Sequence, residues 1–140
     1  MYEDENDILH FCKLRKENLN NPCFAYYNIN SLRYKFTDLK NVVNQALPEV
    51  LVLAETKLDS SFTTQQFFMS DFYYEPTRVD LNGNSGGLLE YVRKGVIRKR
   101  LEKFELKTFE SIASEITINK QKYFYCLFTG LRDRKIEVRM

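Results

Sequence analysis

The chain has 140 residues, 44% of them hydrophobic and 14% aromatic, with 11 Phe and 9 Tyr but no Trp; this excludes a disordered chain and allows one packed domain, or a piece of one. Its 21 basic and 19 acidic residues leave a net charge of only +2. Overall charge therefore does not point to nucleic acid, and any such attraction has to come from a local patch.

Residues Asp7 to Asn20 are predicted to be helical, with Ile8, Phe11, Cys12 and Leu19 as a ragged apolar stripe and Asn6 or Asp7 as the cap. Asn20-Asn21-Pro22 ends the segment. It is set apart as an N-terminal unit, residues 1–21, and the pattern leaves open whether it packs on the domain or belongs to an upstream linker. Cys23 to Tyr27 reads as a strand. Leu32, Phe36, Leu39, Val43 and Leu47 then recur at spacings of three and four, the pattern of an amphipathic helix over 31–47, capped by Asn30 or Ser31 and followed by Pro48. Val50 to Ala54 is a continuous apolar run, as in a strand buried on both faces. Such a strand–helix–strand unit crosses over right-handed and leaves both carboxyl ends on one sheet edge, where open α/β sheets bind ligands.

Beyond it, Phe62 to Met69 is read as a short helix and Phe72 to Glu75 as extended. Asn82-Gly83-Asn84-Ser85-Gly86-Gly87 is a turn signal. Leu88 to Val92, Ile97 to Phe104, Ile112 to Ile118 and Lys122 to Phe128 follow as short strands, a succession that favours antiparallel pairing.

Asn28 and Glu55 are each the first polar residue beyond a strand, and Asn30 lies two residues after Asn28. A hard cation such as Mg²⁺ takes carboxylate and carbonyl oxygens and keeps several waters. Glu55 has the chemistry for that role, and the two Asn side chains can accept from or donate to a phosphate or a bound water. The plainer alternative stands beside it: Asn is a common turn and cap residue, and a Glu after a strand usually faces solvent. Consecutive Gly amides at Gly86-Gly87 can form an anion nest, but a simple hairpin loop is the commoner meaning of the segment. Arg93, Lys94, Arg98, Lys99, Arg100 and Lys103 form a basic run. It can contact DNA phosphates or, more plainly, guard an exposed strand edge.

Cys12, Cys23 and Cys126 are far apart in sequence and His10 is the single histidine, so a thiolate–imidazole metal centre is not expected. The sparse cysteines point to a reducing compartment. The acidic Met1-Tyr2-Glu3-Asp4-Glu5 start has no apolar stretch of a signal peptide, and no apolar run reaches membrane-spanning length. The expectation is a soluble intracellular protein with no membrane partner.

Two segments carry a resemblance. Asn28-Ile29-Asn30-Ser31-Leu32-Arg33-Tyr34-Lys35-Phe36 and Leu53-Ala54-Glu55-Thr56-Lys57-Leu58-Asp59-Ser60-Ser61-Phe62 closely resemble the endonuclease domain of non-LTR (LINE-type) retrotransposons, within the endonuclease/exonuclease/phosphatase superfamily that includes DNase I. The likeness continues through Arg78 to Asn82, Gly86 to Leu89, Tyr91 to Arg93, Phe109-Glu110-Ser111 and Glu115-Ile116, and spans roughly residues 11 to 128. It implies an α/β fold, the N-terminal half of a four-layer α/β sandwich with a mixed β-sheet and a βαβ unit. It also implies a partial domain over 22–128, a divergent tail over 129–140 and one sheet face left uncovered. By this resemblance Asn28 and Asn30 are catalytic residues, Glu55 is the metal ligand, Mg²⁺ is the weakly held cofactor and DNA is the substrate.

The family's later Gly-Asp-x-Asn and Ser-Asp-His segments have no counterpart here. Asp80-Leu81-Asn82 has the spacing of the first but lies in a turn, and His10 comes too early to be the catalytic histidine. The implied function is a Mg²⁺-dependent DNA endonuclease domain by descent, truncated and inactive as this chain. The alternatives are a non-catalytic interaction fragment that binds a partner or itself through the uncovered sheet face, and an open reading frame with no selected role.

Overall fold

In this computed structural model, residues 5–73 and 75–129 are described. The elements in chain order are α1 (Glu5–Glu17), β1 (Phe24–Asn28), a 3-10 turn (Leu32–Tyr34), α2 (Phe36–Ala46), β2 (Val50–Ala54), a 3-10 turn (Thr64–Phe67), β3 (Thr77–Val79), β4 (Leu88–Val92), β5 (Ile97–Arg100), a 3-10 turn (Glu102–Phe104), β6 (Glu110–Ile118) and β7 (Gln121–Thr129). They form an α/β structure with a mixed four-stranded sheet, order β1-β2-β4-β3, and an antiparallel three-stranded sheet, order β5-β6-β7.

β2 organises both cores. It pairs parallel with β1 and antiparallel with β4, and all five of its residues are buried. Leu51 and Leu53 face α2, where Leu32, Leu39, Val43, Phe67, Phe72 and Tyr91 close one core. Val50, Val52 and Ala54 face the second sheet, meeting Leu88, Ile112, Ile116, Tyr125 and Leu127. The alternation of side chains along a strand makes both faces of β2 interior at once.

The helix expected over 31–47 is interrupted. Its first turn is 3-10, Lys35 breaks it (φ −123°, ψ 3°), and α2 starts at Phe36. The apolar spacing persists across the break, which is why the sequence does not reveal it. Neither expected cap acts as one: Asn30 and Ser31 have positive φ (47° and 83°), and Ser31 makes no side-chain capping bond. At the other end Leu47 adopts the left-handed conformation and its amide donates to the Val43 carbonyl at 2.7 Å, so the helix closes just before Pro48. The short helix expected at Phe62 to Met69 is a single 3-10 turn. The strand read over Ile97 to Phe104 stops at Arg100, and β3 is an extra edge strand.

Arg15 fastens α1 to the domain through several hydrogen bonds. Arg15, 5% exposed, donates to the carbonyls of Ala46 (2.9 Å), Leu47 (3.1 Å) and Asn21 (2.9 Å) and to both carboxylate oxygens of Glu49 (3.0 Å). Glu49, also buried, accepts further from Arg93 (2.5 Å) and the Cys23 amide (2.6 Å). Of the expected stripe, Cys12 is buried while Phe11 and Leu19 stay exposed. Residues 1–4 and 130–140, including nearly all of the expected divergent tail, lie outside the described residues.

The four-stranded sheet is covered on both sides, by α2 and by the second sheet. On the outer side of the second sheet Phe124 is 43% exposed and Phe128 meets Phe109 at 6.2 Å between ring centroids, while Ser111 and Ala113 on the same side are buried. Half of the basic run is engaged in ion pairs: Arg93 with Glu49, Arg98 with the fully buried Glu90 (2.7 Å) and Arg100 with Glu105 (2.9 Å). Lys94, Lys99 and Lys103 are exposed, two of them beside or on the edge strand β5.

Candidate functional site at the carboxyl edge of β1 and β2

Parallel pairing sets Asn28 opposite Ala54, so Asn28 and Glu55 occupy neighbouring strand ends. Asn28 lies two residues beyond Tyr26 on β1, hence on the same side. The Tyr26 phenol is pushed up, first by burial and then by the Glu55 carboxylate. Asn28 is exposed and Glu55 is half-buried.

Three chain segments interlock here. From the first, the Ile29, Ser31 and Leu32 amides donate to the carbonyls of Ala54 (3.0 Å), Glu55 (2.9 Å) and Thr56 (3.1 Å). The Lys57 amide then donates to the Gly86 carbonyl at 2.9 Å, tying in the glycine turn. To make these bonds the backbone takes the left-handed region at Asn30, Ser31, Glu55 and Lys57, with φ of 47°, 83°, 55° and 54°. Side chains on β-carbons make this region costly, and such residues gather where the surrounding structure demands a special geometry.

The glycine turn supplies what no other residue fits. Gly86 (φ 71°) and Gly87 (φ 103°) both have positive φ, and a β-carbon on Gly87 would collide with Thr56 Oγ1. Their amides point at carboxylates. Gly86 N–H donates to Glu55 Oε2 at 3.2 Å, and Gly87 N–H donates to Glu110 Oε1 at 2.5 Å. The anion nest considered from the sequence is thus filled by the protein's own anions.

Asn30 is engaged differently from Asn28. Its Oδ1 accepts from Lys57 Nζ at 2.6 Å, and Lys35 Nζ donates to the Ile29 and Asn30 carbonyls, both at 2.8 Å. Two ammonium groups therefore stand beside the carboxylate edge, a local attraction for anions that the net charge conceals. Behind them Arg33 donates to the Gly83 carbonyl at 2.8 Å, fixing the turn from below. Asp59 is held under the usual carboxylate range by the Ser61 hydroxyl and amide.

Glu110 is the residue that motif reading at the strand ends missed. It opens β6, far along the chain, and the signal available was its place in the Phe109-Glu110-Ser111 stretch of the resemblance. Asp80-Leu81-Asn82 belongs to turn structure: Asp80 pairs with Arg78 at 2.7 Å, and Asn82 Oδ1 accepts from the Asn84 and Ser85 amides. His10 lies exposed on α1. The residues present suit a hard cation: Glu55 keeps one oxygen free of the Gly86 bond, and Asn28 offers an exposed carbonyl oxygen. Among the described residues no cluster of three or more His, Cys, Asp and Glu groups is poised to hold a metal unaided.

A crevice of about 360 Å³ lies elsewhere, lined by Tyr73, Pro76, Val92, Val96 and Arg98 among others, with Glu90 at its floor. Glu90 is neutralised there by Arg98 and accepts from Ser114 Oγ at 2.7 Å and from the Tyr125 hydroxyl, so its charge serves the packing between the sheets. No helix among the described residues is long and apolar enough to cross a membrane. No protein-family model matches the chain, and comparison with curated proteins gives no significant match.

Proposed function

We propose that this chain is a metal-dependent, phosphodiester-cleaving DNA endonuclease domain by descent, related to the non-LTR retrotransposon endonucleases and built as part of a DNase I-like sandwich. The observation that carries the reading is the strained edge itself. Asn30, Ser31, Glu55 and Lys57 hold left-handed backbone at the one place where Asn28, Glu55 and two lysines gather. Glu55 and Asn28 would hold Mg²⁺, weakly, because rigid capture by several carboxylates is lacking. The bound ion would stabilise charge developing on the phosphate oxygens. Lys35 and Lys57 would attract the DNA backbone, and Asn28 would orient a phosphate oxygen or a water.

The set is incomplete in this chain. Nothing in it corresponds to Ser-Asp-His or Gly-Asp-x-Asn, so a general base and a leaving-group stabiliser are lacking. Members of a catalytic unit act non-additively, and what remains should perform little better than bound metal. The 140-residue chain is therefore expected not to nick supercoiled plasmid in Mg²⁺ above a Glu55→Ala control. Fusion in frame to the C-terminal half of a related endonuclease should restore Glu55-dependent nicking. Nicking by the chain alone would overturn the incompleteness, and a folded but silent fusion would overturn the descent.

A second reading has its own observation. The outer face of the second sheet carries exposed Phe124 on β7, an edge strand among the described residues, with Phe109 and Phe128 in contact beside it. An apolar sheet face with an open edge is suited to a non-catalytic role in partner binding or self-association.

A further inference from the structure

The geometry points to Glu110 as a positioning residue for Glu55, acting through the Gly86-Gly87 turn; the inference rests on the reading of Glu55 as the metal's anchor. Glu55 and Glu110 come from different sheets, one just after β2 and the other at the start of β6. They accept from consecutive amides of one turn, Gly86 N–H at 3.2 Å and Gly87 N–H at 2.5 Å. The Gly87 N–H and the Gly86 carbonyl belong to one planar peptide unit. The Glu110 bond at one end of that plane therefore fixes the carbonyl at the other, which accepts from the Lys57 amide at 2.9 Å two residues after Glu55, and it holds the Gly86 α-carbon from which the amide to Glu55 projects.

The surroundings leave that turn little freedom of its own. A β-carbon on Gly86 would strike Glu110 Oε1, so the carboxylate is seated directly against the glycine. The Gly86 and Gly87 carbonyls receive the Lys57 amide at 2.9 Å and the Thr56 amide at 3.5 Å. The turn is therefore gripped by the backbone after Glu55 on one side and by Glu110 on the other. Groups that orient a metal's ligands without touching the metal commonly change its affinity by 10- to 100-fold when removed. Glu110 stands in that relation to Glu55, and it makes the placement of the second sheet part of the site's geometry.

The test uses the full chain, labelled with ¹⁵N, and two readouts: the shift and exchange protection of the Gly86 amide without metal, and Mn²⁺ affinity from water-proton relaxation. In Glu110→Gln the side-chain carbonyl still accepts from Gly87 N–H, and both readouts should stay near those of the parent chain. Glu110→Asp keeps the charge but falls a methylene short; the Gly86 amide should move as it does in Glu55→Ala, and Mn²⁺ affinity should drop 10- to 100-fold. Glu110→Ala should match Glu110→Asp, which serves as the folded comparison if the alanine variant does not fold. An unmoved Gly86 amide in Glu110→Asp, or a Glu110→Gln as impaired as Glu110→Asp, would overturn the proposal. A parent chain that binds no Mn²⁺ while the Gly86 amide responds as expected would defeat the metal reading and uphold the coupling.

Discussion

Replacing Arg15 with alanine is expected to destabilise the fold by about 3–5 kcal/mol, the usual cost of breaking a buried ion pair from one side. Such a loss is a large part of the roughly 5–15 kcal/mol that holds a domain together. The size follows from how many groups share this one guanidinium. Glu49 would keep Arg93 but lose both Arg15 bonds inside the protein. The carbonyls of Ala46, Leu47 and Asn21 would lose a charged donor as well. Urea titration of Arg15→Ala beside Lys94→Ala separates the effects, since an exposed surface change of the second kind stays within about 0.5 kcal/mol. A loss under about 1 kcal/mol would mean that α1 does not dock as described.

Alkaline solution is expected to unfold the protein through two buried tyrosines. Tyr91 donates its hydroxyl to the Phe67 carbonyl at 2.6 Å, and burial raises its phenol well above the ordinary range. Tyr125 is raised further, by burial first and then by the charge and bond of Glu90. Both folded-state values exceed the unfolded value of about 10, so the folded chain retains protons that the unfolded chain releases. The contribution is intact below pH ~10 and is lost as pH rises beyond it, at about 1.4 kcal/mol per pH unit for each tyrosine. Near pH 11.5 the two together cost about 4 kcal/mol by the same arithmetic. Denaturant melts between pH 8 and 12 should show this decline, with the phenolate absorbance of these two among the 9 tyrosines appearing only on unfolding. In Tyr91→Phe/Tyr125→Phe stability should start lower and fall less steeply; an unchanged slope would place the alkaline sensitivity elsewhere.

What could be read in the sequence was what depends on neighbours in the chain. Val50 to Ala54 is apolar throughout because both of its faces are interior, and that property is written in consecutive residues. The same holds for the strand after the glycine turn, and for the adjacent ends of β1 and β2, which follow from a parallel pair joined by a helix. Features that depend on distant residues were not legible. Arg15 looks like any surface cation on a helix, and nothing local announces that Glu49 awaits it. Glu90 interrupts an apolar strand and is tolerated because Arg98, Ser114 and Tyr125 arrive from the opposite sheet. β3 has three residues, one of them Arg78, and exists because β4 offers it an edge. The site shows the same division: Glu55 is marked by its strand, whereas the pairing of Glu110 with Gly87 is made across the fold.

The double role of β2 bears on how the chain folds. A strand that forms a wall of both cores cannot be given up by one of them alone. Loss of α2 would strip Leu51 and Leu53, loss of the second sheet would strip Val50 and Val52, and either would loosen the hydrogen-bonded pairs with β1 and β4. The helical layer and the second sheet therefore form one cooperative unit. The β2 amides should exchange with solvent only when the whole structure opens, and both layers should appear together, late, once the distant strands have found each other.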